Sequence, residues 1–133
     1  MQSVKSSVTK SLPVGSMVDV CDNSGAKVIK ITNVRKVNTV KGKLASAGVG
    51  DLIMGSVKKG KPDMKKKVVL AVVVRQKKEY RRVNGKRIKF EDNAVVVVKD
   101  DKGNPQGTAI KGVVSKESTV RWPAISKLAN IVV

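Results

Sequence analysis

Two runs of valine constrain this chain more than any other feature. "VVLAVVVR" at 68–75 is apolar at every position before Arg75, and "AVVVV" at 94–98 is apolar throughout. A strand points alternate side chains to opposite faces, so such a run needs apolar surroundings on both. Valine is stiff about χ1 and packs well on pleated surfaces. The runs predict strands buried inside a barrel or beneath a second layer. A chain of 133 residues suits one domain, because halves of it would bury too little apolar surface.

The rest of the chain supplies strands and turns around these two. "GSMVDVCDNSGAKVIKITNVR" alternates on both sides of a turn, predicting strands at Met17–Asp22 and Ala26–Arg35. Residues 36–50 read as a basic loop. "DLIMGSVKKG" predicts a third strand running into a Lys-rich turn with Gly60 and Pro62 as breakers. "EYRRVNGKRIKF" predicts a hairpin with a two-residue type I′ turn at Asn84-Gly85. "DDKGNPQG" reads as a turn and "TAIKGVV" as a short extended piece. Helical signals appear only near the end: Ser115 with Glu117 and Ser118, then Pro123 with Ile125, Leu128 and Ala129. Both helices are too short to stand alone and must pack on the sheet. Residues 1–11 read as a loosely ordered basic arm.

Charge is distributed unevenly. The total is +18, from 28 Lys and Arg against 10 Asp and Glu. Residues 41–90 carry a net +13, and residues 91–133 only +1. Self-repulsion on that scale opposes compaction, and a polyanion relieves it. The cations concentrate in two places. One is the turn, with Lys58, Lys59, Lys61, Lys65, Lys66 and Lys67. The other is the hairpin region, with Arg75, Lys77, Lys78, Arg81, Arg82, Lys86, Arg87 and Lys89. In a two-residue turn Arg82 faces Arg87, a destabilising pair of about 0.2–1 kcal/mol. A phosphate between them resolves the conflict, since guanidinium forks bind phosphate oxygens bidentately. The turn and Lys77–Lys78 extend that track. Together they form a candidate nucleic-acid interface; splaying into screened water is the simpler alternative.

The aromatic residues are Tyr80, Phe90 and Trp122 only, too few for a base-stacking platform. Recognition through phosphates and shape needs no rings. Trp122 reads first as a packing residue for the terminal helices and otherwise as part of a protein contact surface. The chain has no histidine, so the commonest general base is missing. Glu91-Asp92 converge poorly on a strand, and Asp100-Asp101 sit in turn chemistry, which disfavours a metal-dependent nuclease. No metal or other cofactor is expected. The single cysteine, Cys21, excludes an internal disulfide and fits a reducing compartment, as a small strand residue. No apolar run approaches ~18 residues, and the N-terminus lacks the apolar block of a signal peptide.

Four motifs occur in order: "DVCDNSGAK", "AGVGDLIMGSVKKGKP", "AVVVRQKKEYRRVNGKRIKFEDNAVVVV" and "GNPQGTAIKGVV". Over residues 12–133 the chain resembles the universal large-subunit ribosomal protein L-fourteen family. "LPVG", "VKKGKPDMKKK", "FEDNA" and "RWPAI" resemble its archaeal and eukaryotic branch, the eukaryotic pattern more closely. The resemblance implies a mainly β fold: a five-stranded OB-like barrel with a projecting basic hairpin and short C-terminal helices. It implies a non-enzymatic role in the cytoplasmic large subunit, nucleolar during assembly if eukaryotic. Implied partners are large-subunit rRNA, small-subunit rRNA across an intersubunit bridge, ribosomal proteins L-three and L-twenty-four-e, and an anti-association factor. That factor would dock around Ser115, Lys116, Arg121, Trp122, Ile125 and Lys127, with the Arg and Lys hairpin facing RNA. The chain departs from the family at Gly112-Val113-Val114, where Gly-Pro-Val is common, and over residues 1–11. A free OB-type nucleic-acid chaperone is the alternative function.

Overall fold

The computed structural model describes residues 8–35 and 41–133. Residues 1–7 of the expected arm and 36–40 of the expected loop lie outside them. The elements in order are β1 (Leu12–Pro13), β2 (Met17–Val20), β3 (Ala26–Val34), β4 (Ser46–Ala47), β5 (Leu52–Gly60) and β6 (Val68–Arg75). The hairpin strands β7 (Tyr80–Arg81) and β8 (Arg87–Ile88) follow, then β9 (Ala94–Val98) and β10 (Val113–Val114). Helices α1 (Lys116–Arg121) and α2 (Pro123–Leu128) precede β11 (Ile131–Val132).

Strands β2, β3, β5, β6 and β9 close into a barrel in that order. Closure comes from parallel pairing of β2 with β9, Asp19 opposite Ala94 and Val20 opposite Val95. The fold is therefore the five-stranded barrel with short C-terminal helices that the motifs implied. The valine runs meet both alternatives offered for them. Ala71, Val73, Val95 and Val97 point into the barrel with Val18, Ile29, Ile31, Ile53 and Val57. Val72, Val74, Val96 and Val98 point outward, into a second cluster with Leu52, Ile110, Val114, Trp122 and Ile125. One wall of the barrel is thus roofed by the C-terminal helices.

Helix α1 starts where the sequence signals place it. Ser115 is the N-cap, its hydroxyl accepting from the Ser118 N–H, with Glu117 in the first turn and Arg121 in the last. Helix α2 starts on Pro123 and buries Ile125. Trp122 lies between them, and its indole N–H donates to the Gly50 carbonyl at 2.8 Å. Gly103 lies against the ring. A Cβ there would come within 2.4 Å of Trp122 Cε3, so only glycine admits this approach.

The hairpin differs from the expected one. A two-residue type I′ loop requires positive φ at both central residues. Only Gly85 has it, at 88°. The Asn84 side chain instead accepts the Lys86 N–H at 3.0 Å. Arg82 N–H donates to the Lys86 carbonyl and Gly85 N–H to the Arg82 carbonyl. The loop therefore has three residues, Val83-Asn84-Gly85, ending in a glycine bulge. The register shifts by one, so Arg81 faces Arg87 and Tyr80 faces Ile88.

Candidate nucleic-acid interface

The Lys-rich turn is a built structure that holds its cations outward. Met64 inserts into the barrel core from the middle of the turn. Lys66 takes a left-handed φ of 69°, and its N–H reaches the Val57 carbonyl at 2.9 Å. Lys58, Lys59, Lys61, Lys65, Lys66 and Lys67 are all exposed. Among the described residues, none of the six belongs to an ion pair.

The hairpin region divides into two kinds of cation. Lys77, Lys78, Arg81, Lys86, Arg87 and Lys89 are exposed. Arg87 meets Glu79 at 3.5 Å, but both are largely in water, so the pair contributes little. Arg75 and Arg82 turn inward. Arg75 bridges Asp92 at 3.0 Å and donates to the carbonyls of Lys111 and Val113. Gly112 makes room for it: a Cβ there would fall 2.3 Å from Arg75 Nη1. Arg82 donates to Glu117 Oε1 at 2.7 Å and to the Val133 carbonyl at 2.5 Å. The Tyr80 hydroxyl donates to the same Glu117 at 2.8 Å, and the guanidinium stands 5.9 Å from the Tyr80 ring centre. Burial and the Glu117 hydrogen bond push the Tyr80 hydroxyl well above its ordinary value. The bond to Glu117 raises Arg82 further. The phosphate-bridged Arg82–Arg87 pair of the sequence reading is thus replaced by a protein carboxylate on Arg82.

The turn and the hairpin do not form one patch. They lie at opposite ends of β6, whose 8 residues span about 25 Å. Between them runs the barrel wall that the helices leave bare. Lys27 and Lys30 on β3 and Lys58 on β5 are exposed at the end of it nearest the turn: Lys30 pairs with Ser56, which pairs with Val68, the first residue of β6. Sequence reasoning missed Lys27 and Lys30. The signal was available, since both precede or interrupt the inward positions of "AKVIKI".

The expected partner surface is corrected in its residues. Ser115, Arg121, Trp122 and Ile125 are buried and face the barrel, so they cannot present to a partner. Arg121 donates to the Gly50 carbonyl and to Asp51. Lys116 and Lys127 remain exposed on the outer side of the helices. Of the carboxylates weighed for catalysis, Asp92 is held by Arg75. Asp100 accepts from Asn104 and from the Lys102 N–H, and the Asn104 bond holds its carboxyl below the usual value. This is turn chemistry.

Two buried polar joints were invisible in the sequence. Asp51 accepts from Lys10, Arg121 and the Gly48 N–H. Gln76 accepts from the Val49 N–H and donates to the carbonyls of Thr9 and Lys78. They tie the described end of the arm, the 48–51 loop and α1 to the end of the barrel.

The family described as "Ribosomal protein L14p/L23e" matches residues 11–133. A protein from Nanoarchaeum equitans, "Large ribosomal subunit protein uL14", is 51% identical across the whole of both chains. Proteins of the same name from Methanococcus vannielii and Methanococcus maripaludis are 47% and 48% identical, over 99% of each chain. All three come from archaea.

Proposed function

The chain belongs to the L14p/L23e family of ribosomal proteins, and on that premise we propose that it holds folded large-subunit rRNA by phosphate contacts at both ends of its barrel. It is a structural component of the large ribosomal subunit and not an enzyme. The observation that carries the proposal is the asymmetry of the barrel. One wall is covered by helices, and the other is bare, lysine-bearing and flanked by two exposed sets of cations. Lys58, Lys59, Lys61, Lys65, Lys66 and Lys67 serve one footprint. Lys77, Lys78, Arg81, Lys86, Arg87 and Lys89 serve the other, and Lys27 and Lys30 on the bare wall extend the first. Arg75 and Arg82 position the second footprint from within. Tyr80 and Trp122 are buried, which supports phosphate and shape recognition over base stacking.

The outer side of the C-terminal helices, at Lys116 and Lys127, is our candidate docking surface for neighbouring proteins. L-three, L-twenty-four-e and an anti-association factor are the partners the family resemblance implies. A place in an intersubunit bridge follows from the same source. Sedimentation tests the central reading. The chain should travel with large subunits through moderate salt. Recovery near the top of the gradient would favour a free nucleic-acid chaperone instead.

A further inference from the structure

We propose that Asn84 is a site of spontaneous deamidation, and that the carboxylate formed there marks chains whose hairpin has stayed outside RNA. The marking role rests on the rRNA-binding reading; the chemistry does not. Asn84-Gly85 is the one Asn-Gly pair in the chain. The reaction starts when the backbone nitrogen of the following residue loses its proton and attacks the asparagine side-chain carbonyl. A new N–C bond closes a succinimide, and the amide nitrogen leaves as ammonia. Water then opens the ring to aspartate or isoaspartate, and no other reactant is needed.

Glycine, without a Cβ, hinders that attack least. The other described asparagines are worse placed. Asn33 and Asn130 precede β-branched residues, and Asn104 precedes Pro105, which has no N–H. Asn23 Oδ1 is held by the N–H groups of Thr108 and Ala109, and Asn93 Oδ1 by that of Lys77.

The hairpin exposes Asn84 and Gly85, and beyond its two chain neighbours no heavy atom lies within 4 Å of where a Gly85 Cβ would stand. The loop's own bonds, Gly85 N–H to Arg82 and Lys86 N–H to Asn84, oppose attack while the tip is closed. Strands β7 and β8 have 2 residues each, with Arg81 opposite Arg87, so the tip opens readily. Charge then assists. Arg81, Lys86, Arg87 and Lys89 favour the deprotonated nitrogen and the oxyanion of the tetrahedral intermediate. The product carboxylate relieves repulsion in the free protein and repels phosphate. RNA packed on the hairpin holds the loop closed.

Incubation of the purified chain at mildly alkaline pH, followed by peptide mass mapping, reads conversion site by site. Asn84 should convert several times faster than Asn23 or Asn93 in the same sample, and slow when large-subunit rRNA is bound. Asn84→Ser, which keeps an oxygen for the Lys86 N–H, should abolish conversion there. Asn84→Asp should lower the slope of log affinity against log salt by about 1. Equal rates at Asn84 and Asn23 overturn the site. Fast conversion that rRNA does not slow, or unchanged affinity in Asn84→Asp, overturns the marking role. If Arg87→Gln also leaves rRNA affinity untouched, it is the hairpin contact with rRNA that has failed.

Discussion

Arg82 keeps 18% of its side chain exposed between Glu117 and Val133, whereas Arg87 keeps 62%. The two arginines of one hairpin therefore do different work. Arg82→Gln leaves Glu117 and the Tyr80 hydroxyl without their cation in a half-buried place. Urea unfolding should show a loss of about 1–3 kcal/mol. Arg87→Gln should stay within ~0.5 kcal/mol and show its effect in the salt dependence of rRNA binding. Equal stability losses would mean that Arg87 also holds the fold. Asp22 is a second residue with a sign that can be worked out. Burial pushes its carboxyl up, against hydrogen bonds from Ser24 and the Val97 N–H that pull it down. A carboxyl with a raised folded value binds its proton more readily in the folded state. Its contribution is full below the unfolded value and lost as pH rises through the folded one. Asp22→Asn turns an NH2 against one of those donors, for a loss of about 1–3 kcal/mol at neutral pH. As pH falls through the raised value, wild type should gain further on the variant. Unfolding midpoints of both proteins from neutral to mildly acid pH check this, and a constant gap would remove the burial argument.

The terminal helices are held by a few deep contacts. Trp122→Ala empties the space between the barrel wall, Gly103 and Ile125, and should lower stability by about 3–5 kcal/mol. At temperatures where the variant is folded, its salt slope for rRNA should match wild type. A matching fall in RNA affinity would merge two surfaces that the fold keeps apart. These helices also mark where the sequence was legible. Ser115 and Pro123 announce the helix starts, and the valine runs announce a strand covered on both faces. Such signals are local: a cap, a ring, an alternation. The inward roles of Arg82, Arg121 and Gln76 were not local. Arg121 meets Asp51 from 70 residues away, Arg82 meets Glu117 from 35, and Gln76 reaches Thr9 across 67. A long cation between strands reads as a phosphate ligand until the carboxylate that captures it is placed. The hairpin register failed for a different reason. Asn-Gly suits both a two-residue loop and a glycine bulge, and the Asn84 side chain decides between them by taking the Lys86 N–H.

Over the whole molecule, the separation of the two basic ends makes a quantitative demand. About 25 Å along β6 is several Debye lengths at physiological salt, so neither end feels the other through solvent. Replacing Lys65, Lys66 and Lys67 with Gln removes charge from one end only. Replacing Lys77, Lys78 and Arg87 removes it from the other. If one folded rRNA surface touches both, each triple variant should flatten the salt slope by up to about 3. Losses in binding free energy should then add in the combined variant to within ~0.5 kcal/mol. The free protein should be as stable as wild type or more so, because its self-repulsion falls. Should the combined variant bind no more weakly than the poorer triple variant, the two ends never engage rRNA together. The bare wall between them would then be a gap rather than a bridge, and the barrel would meet RNA at one end only.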